Sequence, residues 1–294
     1  MPSISAYHDM VSRIFDSGTL TNNGPLVQQL HKELTDYLGI SHLSILSNGT
    51  LAIQLPLRLL DEGEVITTPF SYVATTNAIL WENFTPVFAD IDPQTCCINP
   101  AEIEKKITSK TKAILATHVY GIPCDVEKIK RIADKYQVPV IYDAAHAFGV
   151  MYQGRSILEW GTFSTLSFHA TKLFHTIEGG AVVCNTGAQL NQLNLLRSFG
   201  HIRDEYFSIG INAKMSEMHA AMGLCVLPNV NELIAARKLR TEQYDAQLYG
   251  IDVLLPKPDA STAYNYSYYP VIFPSPEMRE RVQNELFRNE ITPR

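Results

Sequence analysis

The sequence lacks the marks of a membrane, secreted or nucleic-acid-coating protein. No stretch approaches the roughly 18 uninterrupted apolar residues that a membrane-spanning helix needs, and residues 1–13 show no basic stretch followed by an apolar run, so no signal peptide is expected. Cysteine is sparse. Cys96, Cys97, Cys124, Cys184 and Cys225 are odd in number and form no C-x-x-C pair, which fits a reducing compartment better than a disulfide framework. His169 and His175 have a finger-like separation, but no cysteine pair precedes them, so no metal is expected. Basic residues are in the minority, 24 against 30 acidic, for a formal charge of −6. Contacts to a phosphate backbone demand a basic surface, so nucleic acid is not an expected partner. The clusters Glu104-Lys105-Lys106 and Arg237-Lys238-Leu239-Arg240 are short and read as solvated helix faces. The expectation is a soluble cytoplasmic protein with no membrane partner.

What is present is a core-forming composition: 46% hydrophobic residues, with glycine and proline at 16 each in 294 residues. That excludes a disordered or low-complexity chain and fits one large domain with a smaller one. Apolar periods of 3.6 alternate with short β-rich runs. Residues Pro25 to Leu38 place Leu26, Leu30, Leu34, Tyr37 and Leu38 on one helical stripe. Strands are expected at 42–46, 64–68, 86–89, 113–117 and 138–142, with helices at about 50–60, 72–80, 100–107 and 125–136 between them. This alternation predicts an α/β protein with a mostly parallel sheet and helices on both faces. After Asp143 the pattern loosens, with strands at 162–168 and 181–184 and helices at 190–197, 230–249 and 277–289. Residues 1–250 read as the large domain and 251–294 as the start of a smaller α+β domain.

Three segments carry chemistry. Lys172 follows a strand and precedes Glu178-Gly179-Gly180. A lysine so placed can present its amine in a cleft and form a Schiff base with an aldehyde cofactor; alone, it reads more readily as an ordinary surface lysine, as most lysines are. Asp143, in Val140-Ile141-Tyr142-Asp143-Ala144-Ala145-His146, stands at the carboxyl end of a buried parallel strand, where open α/β sheets bind ligands. There it suits a pyridinium nitrogen, or a simple helix N-cap. The turn Ser47-Asn48-Gly49-Thr50 leads from strand into helix, whose N–H groups and dipole favour a phosphate, or need mean nothing beyond a capped helix start.

Together these segments resemble the DegT/DnrJ/EryC1/StrS family of pyridoxal-phosphate-dependent sugar aminotransferases. The resemblance runs from about Ser17 onward and also rests on Asn23-Gly24-Pro25, on Thr68-Pro69-Phe70-Ser71-Tyr72-Val73-Ala74-Thr75, on His118-Val119-Tyr120-Gly121, on Ser167-Phe168-His169, and on Asn212 with Met215-Ser216-Glu217. It implies a fold-type I transferase with pyridoxal 5'-phosphate as cofactor. Lys172 would bind the cofactor aldehyde and later move the proton. Asp143 would pair with the pyridine nitrogen, Tyr72 would stack on the ring, and His146 would contact the ring hydroxyl. Gly49, Thr50 and Ser167 would hold the phosphate. Asn212 would reach the phosphate of the neighbouring subunit, so a homodimer with shared active sites is implied.

The implied reaction moves an amino group from glutamate to a keto group of a nucleotide-linked deoxysugar, for a cell-surface polysaccharide such as the lipopolysaccharide O-antigen. Likeness of residues 20–25 and 167–178 points to thymidine-diphosphate-linked 4-keto-6-deoxyglucose, with 3-keto sugars the nearest rivals. A dehydratase of the same fold conflicts with Lys172, since those relatives carry histidine there. A catalytically silent cofactor-binding regulator is the rival from another class. The chain departs from the family pattern at His146, where glutamine is more common, and at Ile177, where glycine is usual; the latter is expected to stiffen a turn without touching the chemistry. His169 is expected to be a buried, satisfied histidine or a catalytic one. Family members run on past the position of Arg294, so the small domain is expected to be cut partway.

Overall fold

The computed structural model describes residues 2–293; Met1 and Arg294, where the expected domain limits fall, lie outside the described residues. Seven strands form one sheet: β1 (Leu43–Leu46), β2 (Glu64–Thr67), β3 (Thr85–Phe88), β4 (Thr111–Thr117), β5 (Val140–Asp143), β6 (Phe163–Ser167) and β7 (Gly180–Cys184). Their order across the sheet is β1-β7-β6-β5-β4-β2-β3. The pairs β2–β3, β2–β4, β4–β5 and β5–β6 are parallel, while β7 runs antiparallel to both β6 and β1. Residues that alternate along β4 and β5 enter different apolar clusters. Ile114, Ala116, Val140 and Tyr142 join one, and Ala113, Leu115 and Ile141 join the other. A strand buried on both faces must read as a continuous apolar run, as these do.

Ten α-helices among the described residues cover the sheet and extend beyond it: α1 (Ile4–Ser17), α2 (Pro25–Leu38), α3 (Gly49–Arg58), α4 (Val73–Trp81), α5 (Pro100–Lys106), α6 (Val126–Tyr136), α7 (Gly187–Leu196), α8 (Glu217–Val226), α9 (Val230–Gln247) and α10 (Pro276–Arg288). Helix α2 has the bounds expected from its stripe, and buries Leu26, Val27, Leu30, Leu34 and Leu38. Proline at its first position and Gly39 just beyond its end, at φ 64°, set those limits. Helix α9 buries Val230 alone, in keeping with the charged residues that interrupt its apolar side.

Helices α1 and α8 and the short hairpin pairing His201–Ile202 with Glu205–Tyr206 were not expected from the sequence. Helix α8 is buried on every side from Ala220 to Val226, and such a helix has no polar face to give it a period. Tertiary burial selects it instead. Among residues 251–293, Thr262–Ala263 pairs antiparallel with Met151–Tyr152, Leu254 bridges Ile272, and α10 has no buried residue. No helix among the described residues is long and apolar enough to cross a membrane, and all five cysteines are buried thiols.

The sheet positions the site through register. Thr117 at the end of β4 lies opposite Asp143 at the end of β5, and Asp143 lies opposite Thr165 near the end of β6. Three parallel strands therefore present their carboxyl ends along one rim.

Candidate active site

Asp143 is the last residue of β5 and is 5% exposed. Its Oδ2 accepts from Thr75 Oγ1 at 2.8 Å and its Oδ1 from the Ala145 amide at 3.1 Å. Burial pushes its carboxyl above the ordinary range, while the Thr75 and Ala145 bonds and the charge of Lys172 pull it back down. No helix begins at Asp143, since residues 144–150 form turns, so the helix N-cap alternative falls; its second oxygen is committed to a hydroxyl from another element. The backbone is also anchored: the His118 amide donates to the Asp143 carbonyl at 3.0 Å, and the Ala144 amide donates to Thr165 at 2.9 Å.

Lys172 lies in the loop after β6, half-buried, with its amide donating to the His169 carbonyl at 2.9 Å. It lines a narrow cleft with Ala145, His146, Thr171, Arg237 and Tyr268. Tyr268 packs on the His146 ring at 4.5 Å, and Tyr120 lies 5.9 Å from Tyr268. The loop carrying His146 is clamped by Asn265, fully buried, whose Nδ2 donates to the carbonyls of His146 and Phe148, each at 2.9 Å. Tyr264 Oη donates to the Tyr120 carbonyl at 2.7 Å. The segment beyond residue 251 thus seals one wall of the cleft.

The turn before α3 lies on the same rim. Asn48 caps the helix, its Oδ1 accepting from the Leu51 amide at 2.8 Å, and the preceding N–H groups have no acceptor within the helix. Gly49 is pressed against Ser167: a Cβ at Gly49 would stand 2.7 Å from the Cβ of Ser167 and 2.9 Å from its Oγ. Gly180 is equally confined, since a Cβ there would stand 2.4 Å from the Asn48 carbonyl oxygen. Gly49 and Ser167 therefore converge, with Thr50 next in the chain, and an anion at this helix start would meet backbone donors, the Ser167 hydroxyl and the positive end of the helix dipole.

Tyr72 stands at the N-cap of α4, 75% exposed. Asn212 lies elsewhere, bridged to Ser198, with its Oδ1 accepting from Lys214 Nζ at 2.6 Å. The neighbouring Ala213 carbonyl accepts from the Ser47 amide at 2.8 Å, which places this segment along the outer side of the β1–α3 turn. A larger cavity of about 450 Å³ opens there, with Arg197 and Lys214 in its wall. The chemistry points to the smaller cleft, because Lys172 lines it and the charge of Lys172 acts on the buried Asp143 carboxyl.

His169 is exposed, which overturns the expectation of a buried histidine; its Nδ1 lies 3.0 Å from Thr171 Oγ1 and its Nε2 3.6 Å from Glu178. Ile177 has φ 70°, the left-handed region that glycine occupies without strain. Thr75, Thr117, Asn265 and Tyr268 carried no role in the sequence reading. Ser71 and Thr75 offered the available signal, two hydroxyls one helical turn apart ahead of the acid.

The donor set fits pyridoxal phosphate. It holds a buried acid for a ring nitrogen, a lysine whose charge acts on that acid, an exposed aromatic ring, and a glycine-bearing helix start for the phosphate. The family model for DegT/DnrJ/EryC1/StrS aminotransferases matches residues 4–294, and the chain belongs to that family, whose members depend on pyridoxal phosphate. It is 40% identical to the dTDP-4-amino-4,6-dideoxy-D-glucose transaminase of Shigella dysenteriae, over 99% of this chain and 81% of that protein. It is 32% identical to the GDP-perosamine synthase of Escherichia coli O157:H7, over 95% of this chain and 78% of that one. Among solved structures, DesI in the presence of its TDP-sugar product superposes with a TM-score of 0.94 at 31% identity, covering 100% of this chain and 76% of that one.

Proposed function

We propose that this aminotransferase moves an amino group from glutamate to the 4-keto carbon of dTDP-4-keto-6-deoxyglucose, forming dTDP-4-amino-4,6-dideoxyglucose for a surface polysaccharide. The observation that carries the substrate is the likeness to the Shigella transaminase across almost the whole chain. The buried Asp143 carboxyl, on which the charge of the cleft-lining Lys172 acts, supports the chemistry. Free buried thiols are in keeping with a cytoplasmic setting.

Pyridoxal phosphate, when bound, supplies the electron sink that stabilises negative charge at the carbon losing its proton. The chain's own residues do the rest. Lys172 would hold the cofactor through its Nζ, which would afterwards be the base that takes and returns the substrate's proton. Asp143 keeps a proton on the ring nitrogen, and its buried carboxylate interacts more strongly there than it would in water. Gly49, Thr50 and Ser167 hold the phosphate, Tyr72 covers one ring face, and His146 donates to the ring hydroxyl. Asn212 reaches the phosphate of the neighbouring subunit, so the working unit is a homodimer.

The test is spectroscopic. Purified protein should carry the visible absorption of its lysine-bound cofactor, lose it on addition of glutamate, and regain it with the ketosugar. Lys172→Ala should abolish both changes and lower turnover by at least about 10³-fold, the loss typical when a covalent catalytic group is removed. A panel of 3-keto and 4-keto nucleotide sugars decides the substrate; faster turnover of a 3-keto sugar would reject the 4-keto assignment.

A further inference from the structure

Asp143 is reached by a line of hydroxyls from two other elements. Thr75 Oγ1 in α4 donates to Oδ2 at 2.8 Å, Ser71 Oγ lies 2.7 Å from Thr75 Oγ1, and Thr117 Oγ1 at the end of β4 lies 3.1 Å from Ser71 Oγ. An ionised carboxylate can only accept. The one proton of Thr75 is therefore committed to Asp143, and its oxygen is left to accept from Ser71. By the same count Ser71 spends its proton on Thr75 and accepts from Thr117. All three protons point the same way, towards the acid. Hydrogen bonds aligned in this manner polarise one another.

We propose that Thr117, Ser71 and Thr75 form a one-way donor chain that holds Asp143 ionised and aimed at the ring nitrogen of the cofactor, and that seats Tyr72 in the same act. The inference rests on the role given above to Asp143. Thr75 and Thr117 are buried, so water does not compete for their hydroxyls. A threonine in a helix commonly turns its hydroxyl back to a carbonyl of its own preceding turn; Thr75 instead sends its proton across to β5. Ser71 precedes Tyr72, the N-cap of α4. The chain therefore links the residue assigned to the ring face with the residue assigned to the ring nitrogen.

The other groups facing Asp143 divide clearly. Lys172 favours its ionised form. His118, driven by burial to a pKa of about 3, is neutral and holds only the Asp143 backbone. His146 follows three residues on, in the loop that Asn265 clamps. The Ala145 amide donates to Oδ1, and the hydroxyl chain is the uncharged side-chain donor to Oδ2.

The test uses the full chain loaded with pyridoxal phosphate, and compares Thr75→Val, Thr75→Ser, Thr117→Val and Asp143→Asn. Valine keeps the shape of threonine and removes the donor. Thr75→Val should weaken cofactor affinity about 10-fold, read by absorbance titration of the cofactor-free protein. It should also raise by about one unit the pH at which the visible absorption of the bound cofactor changes, because a carboxyl that has lost a donor takes a proton more readily. Thr75→Ser should return both readings to within about 2-fold, and Thr117→Val should move them the same way by about 3-fold. The cofactor-free proteins should unfold within a few degrees of wild type, so a purely structural loss would be visible as such. If Thr75→Val and Thr117→Val leave affinity and pH profile unchanged while Asp143→Asn disturbs both, the chain has no such role and the reading of Asp143 stands. If Asp143→Asn changes neither, that reading falls and the inference falls with it. Should Thr75→Val fail to fold, Thr117→Val and Thr75→Ser decide the matter by the same readings.

Discussion

Ile177 shows how one backbone angle can explain a departure from a family pattern. Its φ of 70° places a β-branched side chain in the left-handed region, at a cost of about 1–2 kcal/mol, and the side chain is 42% exposed, so little burial offsets that strain. Ile177→Gly should therefore stabilise the protein by about 0.5–1 kcal/mol after the added freedom of the unfolded chain is deducted. Thermal unfolding should show this as a rise of about 1–3 °C with turnover unchanged. The residue was conspicuous in the sequence, but its strain was not, because φ is set by the fold. His118 makes the second case. It is fully buried, its Nδ1 accepts from the Cys124 amide at 3.0 Å, and its ring stacks on Tyr142 at 4.6 Å. Burial lowers its pKa from 6.5 to about 3. Between those values the unfolded chain takes up a proton that the folded chain refuses. Its contribution to stability is thus complete above about pH 6.5 and falls towards pH 3, with a limiting slope of about 1.4 kcal/mol per pH unit. Urea unfolding at pH 7, 6 and 5 should show that decline, and His118→Asn, which keeps an acceptor but not the titration, should flatten it.

At the scale of elements, the start of α2 depends on a residue 191 positions away. Glu217, fully buried in the first turn of α8, accepts from the Leu26 amide at 2.7 Å and the Val27 amide at 3.0 Å. The N-cap of α2 is Gly24, which provides no side-chain cap, and a Cβ there would stand 2.7 Å from Glu217 Cδ. The glycine is what lets the carboxylate reach the helix start. Charge-assisted bonds of this kind contribute about 1.5–3 kcal/mol. Glu217→Gln should thus lower the denaturant-unfolding free energy by about 2 kcal/mol, while Gly24→Ala should displace the carboxylate and cost a similar amount. The stripe of α2, its proline and its closing glycine were legible because they are local. The partner of its N-terminus was not, since nothing near Gly24 in the chain signals it. The same division holds for α8, whose burial on all sides erases the period by which a helix is read.

For the whole molecule, the candidate site residues fall into two groups. Gly49, Thr50, Asp143, His146, Ser167 and Lys172 share one rim of the sheet, whereas Asn212 lies along the outer side of edge strand β1. If Asn212 serves the neighbouring subunit, two crippled variants should repair one another. Lys172→Ala and Asn212→Ala should each be nearly inactive alone. After mixing under conditions that exchange subunits, half the dimers are mixed and each of these has one intact site, so activity should return to about a quarter of wild type. No recovery despite exchange, checked with a tagged subunit, would mean that each site is built within one chain. The sequence by itself determined the alternation of strands and helices, the acid at the end of a strand, the lysine after another and the glycine turn into a helix. Each of these is written in residues close together in the chain, where periodicity and turn chemistry act. Only the tertiary structure decided that Thr117, Ser71 and Thr75 line up on Asp143, that Asn265 clamps the His146 loop, and that Glu217 caps α2. Those contacts depend on parallel register and on packing between distant segments, which no local pattern encodes.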